Sequence, residues 1–502
     1  MNKSAGVLLG IVVAIGAISV GGAWYTGTKL EAVLQSSLVD ANNELKTVMV
    51  GSNGSASVEL VSLDRSLFSS TAHYRLKAQG EMFGDRPDGI ELLFVDRIEH
   101  GPLPFSRLLS LKWLPVMATS HYALEKSALT EKWFAATQGE SPAKGVVNIG
   151  YDNSTFGTLE LLPVDTVLDD ASTLKFSGLN LEVSANAKGQ KVKANGYMDS
   201  LVLTGVAQDQ TPVKVELHGL TMASNVSRGA YGFYLGDNLF ELSSAKATLG
   251  EKQSVLALKK IETKGSTSES GTLAAGRVDY SVGDITLNDK PIGSAKMAWS
   301  MKNFEVPSAL SLMEISQTRL QPYQEAAAAA AEAGEPVPDL NLSDAELAQI
   351  QTALEGMLAA QPQMALENLS LTTPNGESRA SLVVDLTKPS SFELPTPQLL
   401  RQMISQLDFS LVLSKPMLAD LFSVQAQLEG QTNAKAIGEQ AADTSVMVAS
   451  MAVGSHFAKP DGDNVVIKLN YANNQVDLNG QKMPVEQFVG FVMRGLASLG
   501  AL

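Results

Sequence analysis

The chain has 502 residues, 44% of them apolar, no cysteine, and 53 acidic against 38 basic residues for a net charge of −15. That length allows about two to four domains with sizeable cores. The absent cysteine excludes disulfides, thiol catalysis, thiolate metal sites and cysteine-linked lipid anchors, and the acidic balance argues against nucleic acid as a partner and against electrostatic docking on anionic lipid head groups.

Residues 1–3 form a short tip that carries Lys3. Residues 4–25 hold no charge, and at about 1.5 Å per residue they can cross a hydrocarbon core of roughly 30 Å. Lys3 and the free amino group precede this run, and Trp24 and Tyr25 stand at its far end. The pattern predicts a single-pass anchor with a cytoplasmic amino terminus and an aromatic pair at the outer interface. A cleaved signal peptide is the alternative, with Val7 to Val20 as its core and Gly21 and Ala23 at the cleavage site. The aromatics directly after Ala23 favour retention, and both readings export the rest of the chain. Gly6, Gly10 and Ala14 recur every four residues and offer a small-residue face for pairing two anchors, so a homodimer is expected.

Residues 26–56 read as a helical stalk and a polar turn. Leu30, Val33, Leu34 and Leu38 recur at helical spacing before Gly51-Ser52-Asn53-Gly54-Ser55 breaks the pattern. Residues 57–307 read as a β-rich body. Alternation is clear in Val213-Lys214-Val215-Glu216-Leu217 and in Val278-Asp279-Tyr280-Ser281-Val282, with turns at Asn195-Gly196 and Asn288-Asp289.

A repeat runs through this body. Lys175-Phe176-Ser177-Gly178-Leu179-Asn180-Leu181 recurs as Glu216 to Met222, Ala257 to Thr263, Ser300 to Val306 and Ala365 to Leu371. Its anchors Leu179, Leu220, Ile261 and Phe304 are 41, 41 and 43 residues apart, and Leu369 anchors the fifth copy. Such a period predicts stacked long hairpins in an antiparallel meander. The apolar-x-x-apolar step at each anchor predicts a bulge or bend.

Residues 308–361 read as a helical insertion. Leu310 to Ala333 includes Ala326 to Ala331, Gly334 stops it, and Ser343 with Glu346 forms a capping box for a second helix. Leu347, Ile350, Leu354, Met357 and Leu358 give that helix one apolar face, which must pack on something. Residues 362–393 return as a β hairpin. Residues 394–502 are mixed, with helices over 397–405, 415–428, 434–457 and 485–499 and strands over 407–413, 465–471 and 475–478. The expected fold is therefore α+β and β-dominated: a transmembrane helix, a repetitive antiparallel β-meander body with a helical insertion, and a mixed α/β carboxy-terminal region.

No stretch carries a recognisable reaction. His73, His100, His121, His218 and His456 lack a second ligand at metal spacing. There is no nucleophile elbow, phosphate loop or dinucleotide fingerprint. No cofactor, metal or catalytic residue is assigned. His100-Gly101-Pro102-Leu103-Pro104 reads as a rigid strand terminator after the strand Leu92 to Ile98.

Three stretches nevertheless carry a resemblance. Gly22-Ala23-Trp24-Tyr25-Thr26-Gly27 with Lys29-Leu30-Glu31, Asp96 to Pro104, and Leu469-Asn470-Tyr471 with Val476 to Met483 resemble the YdgA-like family of bacterial envelope proteins of unknown function. The resemblance implies a protein of a Gram-negative inner membrane with a periplasmic body that self-associates, and it supplies no catalytic residue. The alanine run and Pro336 stand outside the family pattern. The expected function is a non-enzymatic self-associating scaffold; the first alternative is a lipid-binding or lipid-transfer protein analogous to the membrane-anchored AsmA-like proteins with an apolar β path, and the second is a hydrolase acting on envelope material. The expected partners are the inner membrane, a second copy, and a lipid or envelope protein.

Overall fold

The computed structural model describes residues 30–49, 54–80, 89–169, 171–207, 211–250, 253–334, 336–337 and 339–499. The expected anchor over residues 4–25, with Lys3, Gly6, Gly10, Ala14, Trp24 and Tyr25, lies outside them. Among the described residues no helix is long and apolar enough to cross a membrane. The chain forms two compact units, Met1–Lys259 and Lys260–Leu502. Among the described residues they hold 22 strands, and each pairing described below is antiparallel.

The first unit opens with helix α1 (Leu30–Val48), then β1 (Gly54–Arg65), β2 (Ser69–Gly80), β3 (Ile90–His100), the short α2 (Phe105–Leu109), β4 (Ala118–Leu124), α3 (Glu131–Ala136), β5 (Ala143–Ile149) and β6 (Thr155–Leu161). It continues through β7 (Val164–Asp169), β8 (Ser172–Phe176), β9 (Leu179–Ala185), β10 (Lys191–Val206), β11 (Pro212–Arg228), β12 (Tyr234–Leu249) and the start of β13 (Ser254–Ser270). Its lanes run β1–β2–β3–β4–β5–β6–β9–β10–β11–β12. Leu34, Leu38, Ala41 and Leu45 of α1 are buried against Val58, Tyr74, Ile98, Tyr122 and Ile149. Each fully buried leucine contributes roughly 1.5–3 kcal/mol. Asn42 fixes the helix lengthwise, its Nδ2 donating to the Val58 carbonyl at 2.9 Å and its Oδ1 accepting from the Val58 amide at 2.7 Å. The helices α2 and α3 interrupt a region that alternation alone marks as strand.

The second unit continues with β14 (Leu273–Leu287), β15 (Lys290–Glu305), α4 (Val306–Ile315), α5 (Gln321–Ala333), α6 (Asp344–Ala359), β16 (Gln363–Thr372), β17 (Glu377–Leu386), α7 (Thr396–Met403) and β18 (Ile404–Ser414). It ends with α8 (Lys415–Leu428), α9 (Ala434–Gly454), β19 (Lys459–Asp461), β20 (Asn464–Ala472), β21 (Gln475–Leu478), β22 (Gln481–Pro484) and α10 (Val485–Leu499). Its lanes run β14–β15–β16–β17–β18–β20–β21–β22. Residues 310–333 are helical throughout but do not form one uninterrupted α-helix. A π-helical turn at Ser316–Leu320 separates α4 from α5. Pro322 follows that turn; it has no amide hydrogen to donate, and its ring crowds the carbonyl four residues earlier. The capping box at Ser343 and Glu346 is formed. α4 and α6 cross closely at Gly356, where a Cβ would come within 2.4 Å of Ser308 Oγ.

The repeat anchors fall on β9, β11, β13 and β15, which are alternate strands in the chain, and the residue before each is left-handed: Gly178, Gly219, Lys260 and Asn303 have φ of 94°, 64°, 53° and 55°. At Gly178 the kink is strong enough to divide one lane into β8 and β9, both of which pair with β10. At Asn303 two residues, Lys302 and Asn303, stand opposite Ala275 alone. The fifth anchor, Leu369, lies on β16, directly beside β15, where Glu367 and Asn368 stand opposite Ser381. A left-handed residue costs about 1–2 kcal/mol for most side chains, less for asparagine and aspartate, and nothing for glycine. Gly219→Ala is therefore expected to destabilise by at least that amount, because its Cβ would also come within 2.3 Å of Ser243 Oγ. Lys260→Gly is expected to stabilise by about 0.5–1 kcal/mol. Urea unfolding of the two variants checks the opposite signs.

Candidate functional site

In an antiparallel ladder, directly paired residues share a face. Following the pairs across the second unit gives rows of apolar side chains. One row runs Val278, Trp299, Leu366, Leu382, Phe409, Leu469 and Leu478. The rows beside it run Tyr280, Met297, Leu369, Ala380, Leu411 and Ile467, and Gly276, Met301, Met364, Val384, Leu407, Tyr471 and Val476. The bulges at Asn303 and Glu367 preserve this sidedness: Met301 with Phe304, and Leu366 with Leu369, stay on one face although three positions apart.

No member of these rows from β14 to β18 is buried. Trp299, Met364 and Leu369 are 40%, 42% and 47% exposed, whereas their neighbours on the other face, Ser300, Ala365 and Ser370, are 4%, 2% and 5% exposed. Helix α9 closes one end of the apolar face, with Ala449, Ala452 and Val453 against Leu413, Val465 and Ile467. The insertion helices do not cover its centre. The other face carries polar groups opposite Trp299: Arg277 pairs with Asp279 at 2.7 Å and with Glu367, and Ser300 Oγ donates to Glu367 at 2.6 Å. Those donors hold the Glu367 carboxyl below its ordinary range.

The first unit shows the same division by itself. Leu201, Leu217 and Ala245 form one row and Leu203, Val215 and Ala247 the next. At the alternate positions of the same strands, Lys214 and Lys246 flank Glu216 at 2.8 and 3.7 Å. Of the repeat anchors, Leu369 belongs to the exposed rows, Leu179 is buried, and Leu220, Ile261 and Phe304 are half-buried. They lie in separate lanes and form no cluster.

Polar chemistry concentrates on β3 and β4. Leu92, Phe94, Asp96 and Ile98 share the face under α1, so Asp96 enters the core, between Ala72 and Tyr122 on the adjacent strands. It accepts a 2.5 Å hydrogen bond from Ser120 Oγ. Burial raises its carboxyl to about 6. Burial, reinforced by the Asp96 charge, also pushes the Tyr74 and Tyr122 phenols above their ordinary range. Period-two counting from Phe94 to Ile98 marks Asp96 as inward-facing, against the surface position its charge suggests.

Nearby, Glu99 Oε2 accepts from the Ser106 amide at 2.9 Å and from Ser106 Oγ at 2.7 Å, and His121 Nε2 lies 3.1 Å from the same Oγ. Burial keeps His121 below its ordinary range. In a nucleophilic triad the carboxylate orients the histidine from its far nitrogen. Here the carboxylate accepts hydrogen bonds from the serine hydroxyl and amide and secures the first turn of α2. His73 meets Glu125, His100 meets Ser70, and His218 and His456 stand elsewhere. Among the described residues no group of three potential ligands could hold a metal. A depression of about 350 Å³ lined by Lys302, Gln363, Asp385 and Ser405 is polar, and Gln363 donates to Asp385 within it at 2.7 Å.

These features define a β-dominated protein built on two-sided antiparallel strands, with an apolar face left open. Residues 1–486 match the family described as "Bacterial protein of unknown function (DUF945)", and the chain belongs to it. It is 27% identical to Protein YdgA of Escherichia coli K12 over 99% of this chain and 98% of that one. It is 23% identical to the uncharacterized protein YihF of the same strain over 96% and 97%. An uncharacterized protein of Haemophilus influenzae is 23% identical over 51% of this chain and 70% of its own. No solved structure matches.

Asp96 gives a pH prediction. Its folded carboxyl titrates above its unfolded value of 3.8. Between those values the folded state retains a proton that the unfolded state loses, so its contribution to stability falls as pH rises through about 4 to 6. Asp96→Asn keeps the acceptor for Ser120 and removes the titration. The variant's stability relative to the parent is expected to rise by up to about 3 kcal/mol between pH 4 and pH 7.5. Urea unfolding at both pH values measures this, and a constant difference contradicts it.

Proposed function

We propose that this is an inner-membrane-anchored envelope protein, with a cytoplasmic amino terminus and a periplasmic body, that holds the acyl chains of a lipid against the apolar face of its strands and catalyses no reaction. The observation that carries this is the set of cross-strand rows centred on Trp299, Met364 and Leu369, which stays exposed while the opposite face is buried or polar. Exposed apolar patches larger than a few hundred Å² mark ligand, partner or membrane sites. An unbroken file of leucine, methionine and aromatic side chains suits a hydrocarbon chain, which asks for no hydrogen bonds.

The uncharged run at residues 4–25 and the interfacial pair Trp24 and Tyr25 support the anchor. Gly6, Gly10 and Ala14 support pairing of two anchors. The Glu99–Ser106–His121 arrangement favours a structural role over hydrolysis. The scaffold reading would have the open face meet another protein surface.

The test is mass spectrometry of full-length protein extracted in detergent, with lipid extraction of the same sample. Copurifying phospholipid is expected, and Trp299→Lys and Leu369→Asp are each expected to lower its amount severalfold without changing circular dichroism. A lipid-free protein of discrete oligomeric mass, or lipid content indifferent to both substitutions, overturns the reading in favour of a scaffold.

A further inference from the structure

A second apolar surface lies at one end of the first unit. It is made by the β1–β2 turn and the loop between β3 and β4. Leu67, Phe68, Phe105, Leu109, Trp113 and Leu114 are each at least 65% exposed. Their backbone is nonetheless fixed. The His100 amide donates to the Phe68 carbonyl at 2.9 Å, joining the two loops. Gly101 donates to Met117 at 2.8 Å and Val116 to Pro102 at 3.0 Å, closing the longer loop at its base. Arg107 braces it from inside, donating to Asn148 Oδ1 at 2.9 Å and to the Leu114 carbonyl at 3.0 Å. Six large apolar side chains are thus held out in water by a structured support.

The position of this surface identifies its partner. α1 runs back along β1, with Asn42 beside Val58. From Asn42 the helix extends about 18 Å to Leu30, and from Val58 the strand extends about 23 Å to Arg65. The beginning of α1 therefore lies at the same end of the unit as Leu67 and Phe68. Residues 4–25, the uncharged run, enter α1 from that end after only four residues. Residues 101–117 carry Arg107 and Lys112 and no acidic residue in a chain of net charge −15. Trp113 beside a lysine suits the headgroup region, where aromatic rings and cations settle.

We infer that the 66–68 turn and the 103–114 loop bed into the outer surface of the bilayer that holds the anchor, seating the first unit against the lipid. This rests on the anchor proposed above and is independent of what the second unit's apolar face holds. The test uses full-length protein reconstituted in vesicles of phosphatidylcholine and phosphatidylglycerol with brominated acyl chains. One variant keeps Trp113 alone (Trp24→Phe, Trp133→Phe, Trp299→Phe), and another keeps Trp24 alone. Trp113 emission is expected to shift to the blue and lose at least half its intensity relative to unbrominated vesicles. Quenching of Trp24 but not Trp113 overturns the seating and leaves the anchor intact. Quenching of Trp113 without Trp24 supports the seating while removing the transmembrane reading. Unquenched Trp113 together with a disulfide between copies of Leu114→Cys overturns it in favour of a self-association surface. A carbonate wash that leaves both variants on the vesicles shows that the substitutions have not detached the protein.

Discussion

Cross-strand register is the constraint on which the rest of this structure depends. A strand of period two separates its side chains into two files, and a neighbouring strand must present matching files or bury charge against hydrocarbon. Here the match is carried from Val278 through Trp299, Leu366, Leu382 and Phe409 to Leu469 without a polar substitution. A slip of one residue anywhere would set Arg277, Ser300 or Asp408 into that file. The bulges matter for the same reason. They bend long strands while returning the apolar side chains to the face they left.

Sheets normally hide such a face under a second layer. The first five strands do so with α1, and the result is a core of fully buried side chains that includes Leu34, Ile98 and Ile149. The second unit covers its apolar face on β20 and β21, where Val465, Tyr471, Val476 and Leu478 are buried and α9 packs against Val465 and Ile467. Its helices α4 and α6 spend part of their contact surface on each other at Gly356 and Ser308. The exposed centre at Trp299, Met364 and Leu369 is therefore a property of how the layers are distributed, and it is the feature that most needs a ligand.

Much of the β architecture was legible in the sequence, because alternation, the period near 41 residues and the apolar-x-x-apolar step are local signals. The bends fall where that step stands, and residues such as Lys260 and Asn303 occupy the left-handed positions that Gly178 and Gly219 fill at lower cost. The helices over 415–428 and 485–499 were also legible from their spacing. The open face was not. Leu366 and Leu382 alternate with polar neighbours whether or not another layer covers them, and only the assembled fold decides that. Asp96 was hidden in a different way: its parity pointed inward, while its charge suggested a surface.

The central claim is that the centre of the apolar face holds lipid. The most direct measurement places benzoylphenylalanine at position 369 in the full-length protein in cells, followed by ultraviolet irradiation and mass analysis of the adduct. A lipid held at this face gives a covalent adduct with the mass of a phospholipid. An adduct with another protein chain, and no lipid adduct, would contradict it.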